Sequence, residues 1–215
     1  MKSIHPFEPF IPANATRLII GTIPPERFCI EGKELNSNDV KFYYGSDDNS
    51  FWKIIGEDIL KKPFENGHAS DKPIQQRKKY LTEMNLGITD IVSSCNRKNH
   101  SSTDKDLMDI EHKDLRAILE ENPQIDTLIY TSGFVKSQVN KIFKKWHSKL
   151  GATDKEFTVK IIETKPAYKV IVLYSPSPSA LRGLGKYGEE KRKKQYLEIL
   201  HAKIKSDQVS PISSP

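Results

Sequence analysis

A chain of 215 residues, 36% hydrophobic and 29% charged, has the composition of a soluble globular protein with one core. No stretch approaches the roughly 18 apolar residues of a membrane span, and no apolar segment before Pro6 resembles a secretion signal. These features argue against a membrane partner and predict an intracellular protein. The formal charge of +6 suits a polyanionic partner without demonstrating one.

The two cysteines, Cys29 and Cys95, lie far apart and outside any zinc-binding spacing. Two thiols are also fewer than the four that usually hold an iron–sulfur cluster. The sequence therefore predicts no disulfide, no metal and no other cofactor.

The first buried strand is predicted at residues 17–22. An arm, residues 1–16, precedes it, and three prolines indicate that this arm is extended. Residues 17–22 are a short apolar run that Gly21 closes, and Pro24 stiffens the loop that follows. One domain is predicted over residues 17–205, with a disordered tail over 206–215.

A long polar loop, residues 26–48, precedes the first predicted helix. Loops of this length inside a compact domain are usually functional or disordered, and the aromatic content of this one favours function. Asn49 or Ser50 can then cap a helix. The apolar positions of that helix keep helical spacing: Phe51, Trp52, Ile55, Ile59 and Leu60.

Helices and strands alternate along the rest of the chain. Strands are predicted near residues 87–92, 127–131, 157–162 and 168–174, and a polar loop over 93–106. Helices are predicted near residues 73–84, 114–121, 134–146 and 189–203. The alternation predicts an α/β protein of three layers, α/β/α, around a mostly parallel sheet of four to five strands.

Two proline-stiffened loops follow the first and last clear strands, at residues 22–25 and 175–178. Parallel sheets bind ligands outside the carboxyl ends of their strands, so we expect both loops at one edge, with the site between them. Signatures of nucleotide-binding loops, zinc proteases and serine hydrolases are absent from the sequence. The stiff loops, the aromatic cluster and nearby cations suit recognition of a base flipped out of a nucleic acid.

Several sequence blocks, taken in order, resemble the deoxyinosine (hypoxanthine) and mismatch-specific branches of the uracil-DNA glycosylase superfamily. The blocks are HPF at 5–7, LIIGTIP at 18–24, FYYG at 42–45, NSFW at 49–52, GITDIVSSC at 87–95, and SPS at 175–177 followed by Arg182. The resemblance covers about residues 5–190. It implies a uracil-DNA glycosylase-like fold and a monomeric DNA glycosylase of base-excision repair that hydrolyses the N-glycosidic bond of a deaminated base, uracil or hypoxanthine.

Two residues depart from the family pattern. Ile23 stands where many members carry Asp or Asn to position the attacking water, and Ser175 stands where many carry His or Asn to stabilise the departing base. The resemblance implies that Asn49 carries catalysis instead, and Glu26 is an alternative general base. No lysine beside these motifs suggests a Schiff base, so a monofunctional enzyme is predicted. The alternative class is a nucleic-acid-binding protein that kept the fold and lost its catalysts.

The candidate site residues fall into two further groups. The predicted base pocket comprises Gly21, Thr22, Ile23, Pro24, Tyr44 and Phe51. The predicted contacts to the DNA backbone, including a wedge at Leu181, comprise Ser175, Ser177, Ser179, Leu181, Arg182 and Lys186.

Ordinary structural roles compete with these functional ones. Asn49 is as well explained as a helix N-cap, and Asp90 is better explained as a turn or cap residue. Leu181 could equally pack under its loop. The basic run at residues 191–194 is either a solvated helix face or a contact to phosphates.

Overall fold

The computed structural model describes residues 2–143, 156–162, 165 and 167–200. Its strands are β1 (Ser3–Ile4), β2 (Arg17–Gly21), β3 (Leu86–Asp90), β4 (Val92–Arg97), β5 (Leu107–His112), β6 (Thr127–Tyr130), β7 (Glu156–Val159) and β8 (Tyr168–Val172). Its helices are α1 (Glu26–Cys29), α2 (Phe51–Lys53), α3 (Lys72–Glu83), α4 (Leu115–Glu121), α5 (Gly133–Ile142), α6 (Pro178–Leu181) and α7 (Gly188–Leu200).

The central sheet has five strands in the order β3-β2-β6-β8-β7. The first four run parallel, and β7 pairs antiparallel with β8. Side chains of β2 alternate between the two faces, as strand geometry requires. Leu18 and Ile20 enter one hydrophobic cluster and Ile19 enters the other.

Helices cover both faces of this sheet. On one face, α4 and α5 contribute Leu119 and Val139 to the first cluster. On the other, α2, α3 and α7 contribute Trp52, Leu81 and Tyr196 to the second. The expected three-layer α/β/α fold with a mostly parallel sheet is confirmed.

Residues 93–106 are not the continuous polar loop that was predicted. Strand β4 occupies its first part and pairs antiparallel with both β1 and β5, which makes a second sheet of three strands. The β4 sequence VSSCNR lacks clear apolar alternation because only part of it is buried. Sequence periodicity therefore could not detect this strand. Only two short 3₁₀ turns, Lys98–His100 and Asp104–Asp106, lie between β4 and β5.

The first predicted helix is also different from the expectation. After α2 the chain continues as a π-helix, Ile54–Ile59, in which the Leu60 N–H bonds to the Ile55 carbonyl at 2.9 Å. The wider turn rotates the next side chain away from the core. Leu60, the last apolar position of the predicted helix, is 37% exposed.

The other predicted helices agree with the structure to within a few residues where it describes them. Asp114 caps α4 by accepting a hydrogen bond from Ala117 N at 3.0 Å. Trp146, the predicted end of the last helix at residue 203 and the predicted tail lie outside the described residues. In the described part of the chain, no helix is long and apolar enough to cross a membrane.

Candidate active site

A cleft of about 480 Å³ opens at the carboxyl ends of the parallel strands. The loops after β2, β3, β6 and β8 form its walls, together with residues from the aromatic loop and from the turn at 102–104. The two proline-stiffened loops, residues 22–25 and 175–178, both line this cleft. Their common location follows from the parallel topology, as expected.

Most of the predicted site residues line the cleft. They are Thr22, Ile23, Pro24, Tyr44, Asn49, Ser175, Ser177, Ser179 and Arg182. Five others do not line it: Gly21, Glu26, Phe51, Leu181 and Lys186. Leu181 ends α6 and is half-buried, directly before the exposed Arg182 of the cleft wall, and Lys186 is exposed above the Tyr187 ring.

Tyr44 forms the aromatic wall of the cleft. Its ring stacks on Phe51 with centroids 4.4 Å apart, and its hydroxyl bonds to the Thr131 hydroxyl at 2.8 Å. Phe51 is fully buried, so it supports Tyr44 from behind and is not itself a pocket wall as predicted. Tyr44 has a left-handed φ of 54°, an uncommon conformation outside glycine that turns its ring toward the cleft.

The loop that carries Tyr44 is held by an ion pair. Arg27 donates two hydrogen bonds to the carboxylate of Asp39, at 2.6 and 2.8 Å, and Asp39 is completely buried. The same guanidinium also donates to Ser46 at 2.8 Å. A bidentate pair of this kind fixes geometry as well as charge. The long loop is therefore an ordered part of the cleft.

Gly21 allows two cleft groups to approach the end of β2. A Cβ atom at this position would overlap Oδ1 of Asp90 and the hydroxyl oxygen of Tyr44. Gly21 thus contributes to the predicted pocket by its lack of a side chain. The space that a methyl group would fill holds a carboxylate and a phenol instead.

Asp90 is the buried carboxylate of the cleft. The Phe7 N–H donates to Nδ1 of His5 at 3.1 Å, so Nδ1 is an acceptor and the proton lies on Nε2. His5 Nε2–H then donates to Oδ2 of Asp90 at 2.8 Å, and the His5 side chain is 1% exposed. Asp90 is therefore a cleft residue positioned by the N-terminal arm, and the interpretation as a turn or cap residue was wrong.

A second carboxyl group, Asp104, enters the cleft from the connection between β4 and β5. The Thr22 hydroxyl donates to its Oδ2 at 3.3 Å. Burial raises the pKa of Asp104 from its ordinary 3.8 to about 6, and the nearby charge of Asp90 adds to this shift. Asp104 is thus a carboxyl group that holds its proton closer to neutral pH than an exposed aspartate does.

The variant Asp104→Asn is expected to be more stable than the wild type at neutral pH. A raised pKa means that folding favours the neutral carboxyl, so this stabilisation is complete below pH 3.8 and is lost as the pH rises through about 6. Asn mimics the neutral form, and after discounting for solvent screening we expect a gain of about 1–2 kcal/mol in the free energy of unfolding above pH 6. Urea unfolding at acidic and neutral pH measures it. Equal stability of the two proteins at neutral pH would contradict the raised pKa of Asp104.

Glu26 does not line the cleft. Its carboxylate is paired with Lys33 and lies 2.9 Å from Nδ1 of His100. The hydrogen bond from Lys33 lowers the pKa of Glu26, which makes this carboxylate a weaker base. Glu26 therefore does not have the position of the general base that the sequence suggested.

Asn49 makes a turn contact before α2, whose N-cap residue is Ser50, and it also lies in the cleft wall. Its Oδ1 accepts a hydrogen bond from Phe51 N at 2.9 Å, at the start of α2. Among the described residues, its Nδ2 has no hydrogen-bond partner. The oxygen expected to orient water is thus occupied by the backbone, and the amide N–H₂ is the group that Asn49 can offer to a ligand.

The Ser/Pro loop is fixed from two sides. The N–H and the hydroxyl of Ser50 both donate to the carbonyl of Pro176, at 3.2 and 2.9 Å. Nη1 of Arg192 in α7 donates to the carbonyls of Ser175 and Ser177, at 3.2 and 3.3 Å. Arg192 is 2% exposed, so it holds the loop and cannot contact phosphates as the basic run suggested.

The neighbours of Arg192 have different surroundings. Lys193 pairs with Asp58 and Glu189, at 3.4 and 3.7 Å, and Lys194 lies 4.0 Å from Glu198. Such surface pairs contribute little stability but occupy the lysines. At the cleft itself, the cation exposed to a ligand from this part of the chain is Arg182.

Sequence reasoning missed the roles of Asp90, Asp104 and Thr131. For Asp90 a signal existed, because it ends strand β3 in the same register as Gly21 ends β2. For Asp104 there was none, because its segment was interpreted as a loop of unknown path. Thr131 follows β6 directly, so its position at the carboxyl edge could have been inferred.

Neither a family model nor a curated protein sequence matches the chain. Among solved structures, the fold is similar to the solution NMR structure of a "putative Uracil DNA glycosylase" from Methanosarcina acetivorans. The chains are 19% identical, the match covers 92% of this chain and 98% of that chain, and the TM-score is 0.55. Likeness at this identity shows the fold, here a uracil-DNA glycosylase-like fold, and function must be argued from the site.

Proposed function

We propose that this protein is a monofunctional DNA glycosylase that flips a deaminated base out of DNA and hydrolyses its N-glycosidic bond. The observation that carries the proposal is the cleft itself: an aromatic wall and two carboxyl groups meet at the strand ends of a uracil-DNA glycosylase-like sheet. Its volume of about 480 Å³ lies within the range of pockets that enclose small ligands, and a nucleoside is of this class.

The groups on the walls match the needs of an extruded nucleotide. One face of Tyr44 stacks on Phe51, which leaves its exposed part for a base. Asn49 Nδ2 offers a hydrogen-bond donor to a carbonyl oxygen of that base. Arg182 and the hydroxyls of Ser177 and Ser179 lie along the loop at the rim, where hydroxyls and cations hold phosphates.

A non-catalytic DNA-binding protein is the second candidate, and one observation favours it. Ile23, at the position where a polar catalyst was expected, packs against the hydrophobic core beside the cleft. It therefore supplies no group that could orient water. Salt-sensitive DNA binding without base release would support this second function.

Asn49 allows a test that separates its turn contact from catalysis. Asn49→Asp keeps an oxygen that can accept from Phe51 N, and Asp forms such a turn as Asn does, but it removes the Nδ2 donor. We expect Asn49→Asp to retain wild-type stability and to lose base release on the order of 100-fold, a typical cost for one donor aimed at developing charge. Asn49→Ala should lose both the activity and about 1 kcal/mol of stability.

The measurement is single-turnover release of base from labelled oligonucleotides that carry uracil, hypoxanthine or xanthine. Wild-type release of at least one base supports the glycosylase. Full activity of Asn49→Asp would show that the residue acts only through its turn contact, and no release of any base by the wild type would overturn the proposed function.

A further inference from the structure

Resting on the glycosylase function proposed above, we propose that Asp104 is the general acid that protonates N7 of a departing deaminated purine, and that Asp90 is the base for the attacking water. The two residues would supply the acid and the base that Ile23 and Ser175 do not provide. The substrate class is accordingly a purine such as hypoxanthine and not uracil.

The two carboxyl groups reach the cleft from different elements and have different partners. Asp90 ends β3, and its Oδ2 accepts the His5 N–H at 2.8 Å. Asp104 begins a 3₁₀ turn, and its Oδ2 accepts the Thr22 hydroxyl at 3.3 Å. Among the described residues, Oδ1 of Asp104 has no hydrogen-bond partner. One carboxyl oxygen of Asp104 is therefore available to a ligand in the cleft.

The surroundings of Asp104 and Asp90 differ in a way that suits one as the acid and the other as the base. Facing Asp104 are Thr22 from the loop after β2, Asp90 from β3, Arg97 from β4 and Tyr44 from the aromatic loop. Burial raises the pKa of Asp104 to about 6; the hydrogen bond from Thr22 opposes this, the charge of Asp90 adds to it, and Arg97 has a smaller opposite effect. Asp90 instead accepts the ring N–H of the buried His5, so the two carboxyl groups have different hydrogen-bond partners. Two carboxyls kept in different environments are the usual arrangement for acid and base.

The chemistry of the leaving group favours a purine. N7 of a purine is a lone-pair acceptor on the ring that carries the glycosidic nitrogen, so a proton there stabilises the electron pair left on the departing base. Uracil has no such nitrogen. A general acid aimed at a ring nitrogen therefore serves a purine, whereas departing uracil would offer the acid only its carbonyl oxygens.

The reaction balances with water as the co-substrate. The Asp104 carboxyl gives its proton to N7, the C1′–N9 bond breaks, and its electron pair remains on the base. Water adds its oxygen to C1′ and gives a proton to the Asp90 carboxylate. The products are the free base, protonated at N7, and an abasic sugar with a hydroxyl at C1′. Exchange of protons with solvent restores both carboxyl groups.

The test compares duplexes that carry deoxyinosine or 7-deaza-deoxyinosine, in which a carbon replaces N7. With deoxyinosine, the wild-type single-turnover rate should fall as the pH rises above about 6, the pKa of Asp104. Asp104→Asn should lower the rate on the order of 100-fold and remove this pH dependence. With the 7-deaza substrate, wild type and Asp104→Asn should be equally slow, because there is no N7 to protonate.

Asp106→Asn is the matched control, since Asp106 lies in the same 3₁₀ turn but does not line the cleft. It should keep the wild-type rate and pH profile. Rapid release of 7-deazahypoxanthine, or release of uracil in preference to hypoxanthine, would overturn the acid assignment while leaving the glycosylase intact. Failure to release any base would instead overturn the proposed function, and this assignment with it.

Discussion

Gly21→Ala is expected to lower base release by at least about 100-fold and to destabilise the protein by about 2–3 kcal/mol. The added methyl group would overlap Oδ1 of Asp90 and the hydroxyl oxygen of Tyr44. Either side chain can yield only by leaving its present partner. Asp90 would move from His5, at 2.8 Å, and Tyr44 would move from Thr131, also at 2.8 Å. The substitution thus damages the two cleft walls at once.

Gly133→Ala is the matched control for this prediction. Gly133 begins α5, and a Cβ atom there would meet nothing within 4 Å. This variant should keep wild-type activity and stability, because Ala has the higher helix propensity. Single-turnover release and urea unfolding, measured on both variants, separate a general cost of replacing glycine from a specific one. Near wild-type activity of Gly21→Ala would show that the cleft is looser than the contacts indicate.

Arg192→Met should destabilise the protein by about 1–3 kcal/mol and slow base release on the order of 10-fold. The substitution keeps much of the buried volume but removes the donor to the carbonyls of Ser175 and Ser177. The part-buried Ser175 carbonyl would lose this donor, whereas the Ser177 carbonyl would keep the N–H of Ala180 at 3.2 Å. An unpaired carbonyl is costly, and the loop would loosen. We expect proteolysis or hydrogen exchange to increase at residues 175–179.

Lys191→Met removes the same charge from the adjacent position, where the side chain is exposed. If the basic run acts through its charge on DNA, both variants should weaken DNA binding and reduce its salt dependence alike. If Arg192 acts through the loop, as its burial indicates, only Arg192→Met should lose stability. Equal stability of the two variants would refute the structural role of Arg192.

The fold could be predicted because its core follows simple periodicities. The run at residues 18–20 sorts Leu18 and Ile20 to one face and Ile19 to the other, and every predicted strand of the main sheet is present. The second sheet could not be predicted, because β4 owes its burial to pairing with β1, which lies about 90 residues away in sequence.

The location of the site could be predicted from the sequence, but the hydrogen-bond and ion-pair partners of its side chains could not. Parallel topology alone brings the loops after β2 and β8 together, so Thr22, Ser175 and their neighbours were placed correctly in one wall region. The surroundings of individual side chains could not be predicted in this way. Asp90 depends on His5, and Glu26 is paired with Lys33 and His100. Such pairings depend on tertiary geometry, which has no signature in local sequence.

The cleft is completed by residues from the two extremes of the described chain, His5 and Arg192. During synthesis the central strands, Asp90 and the Ser/Pro loop all leave the ribosome before α7. The Ser/Pro loop can therefore reach its final position only after α7 has been made. Contacts of such large sequence separation, Ser50 to Pro176 among them, also slow folding. We therefore expect the cleft to reach its functional geometry late in folding, when α7 packs against the sheet.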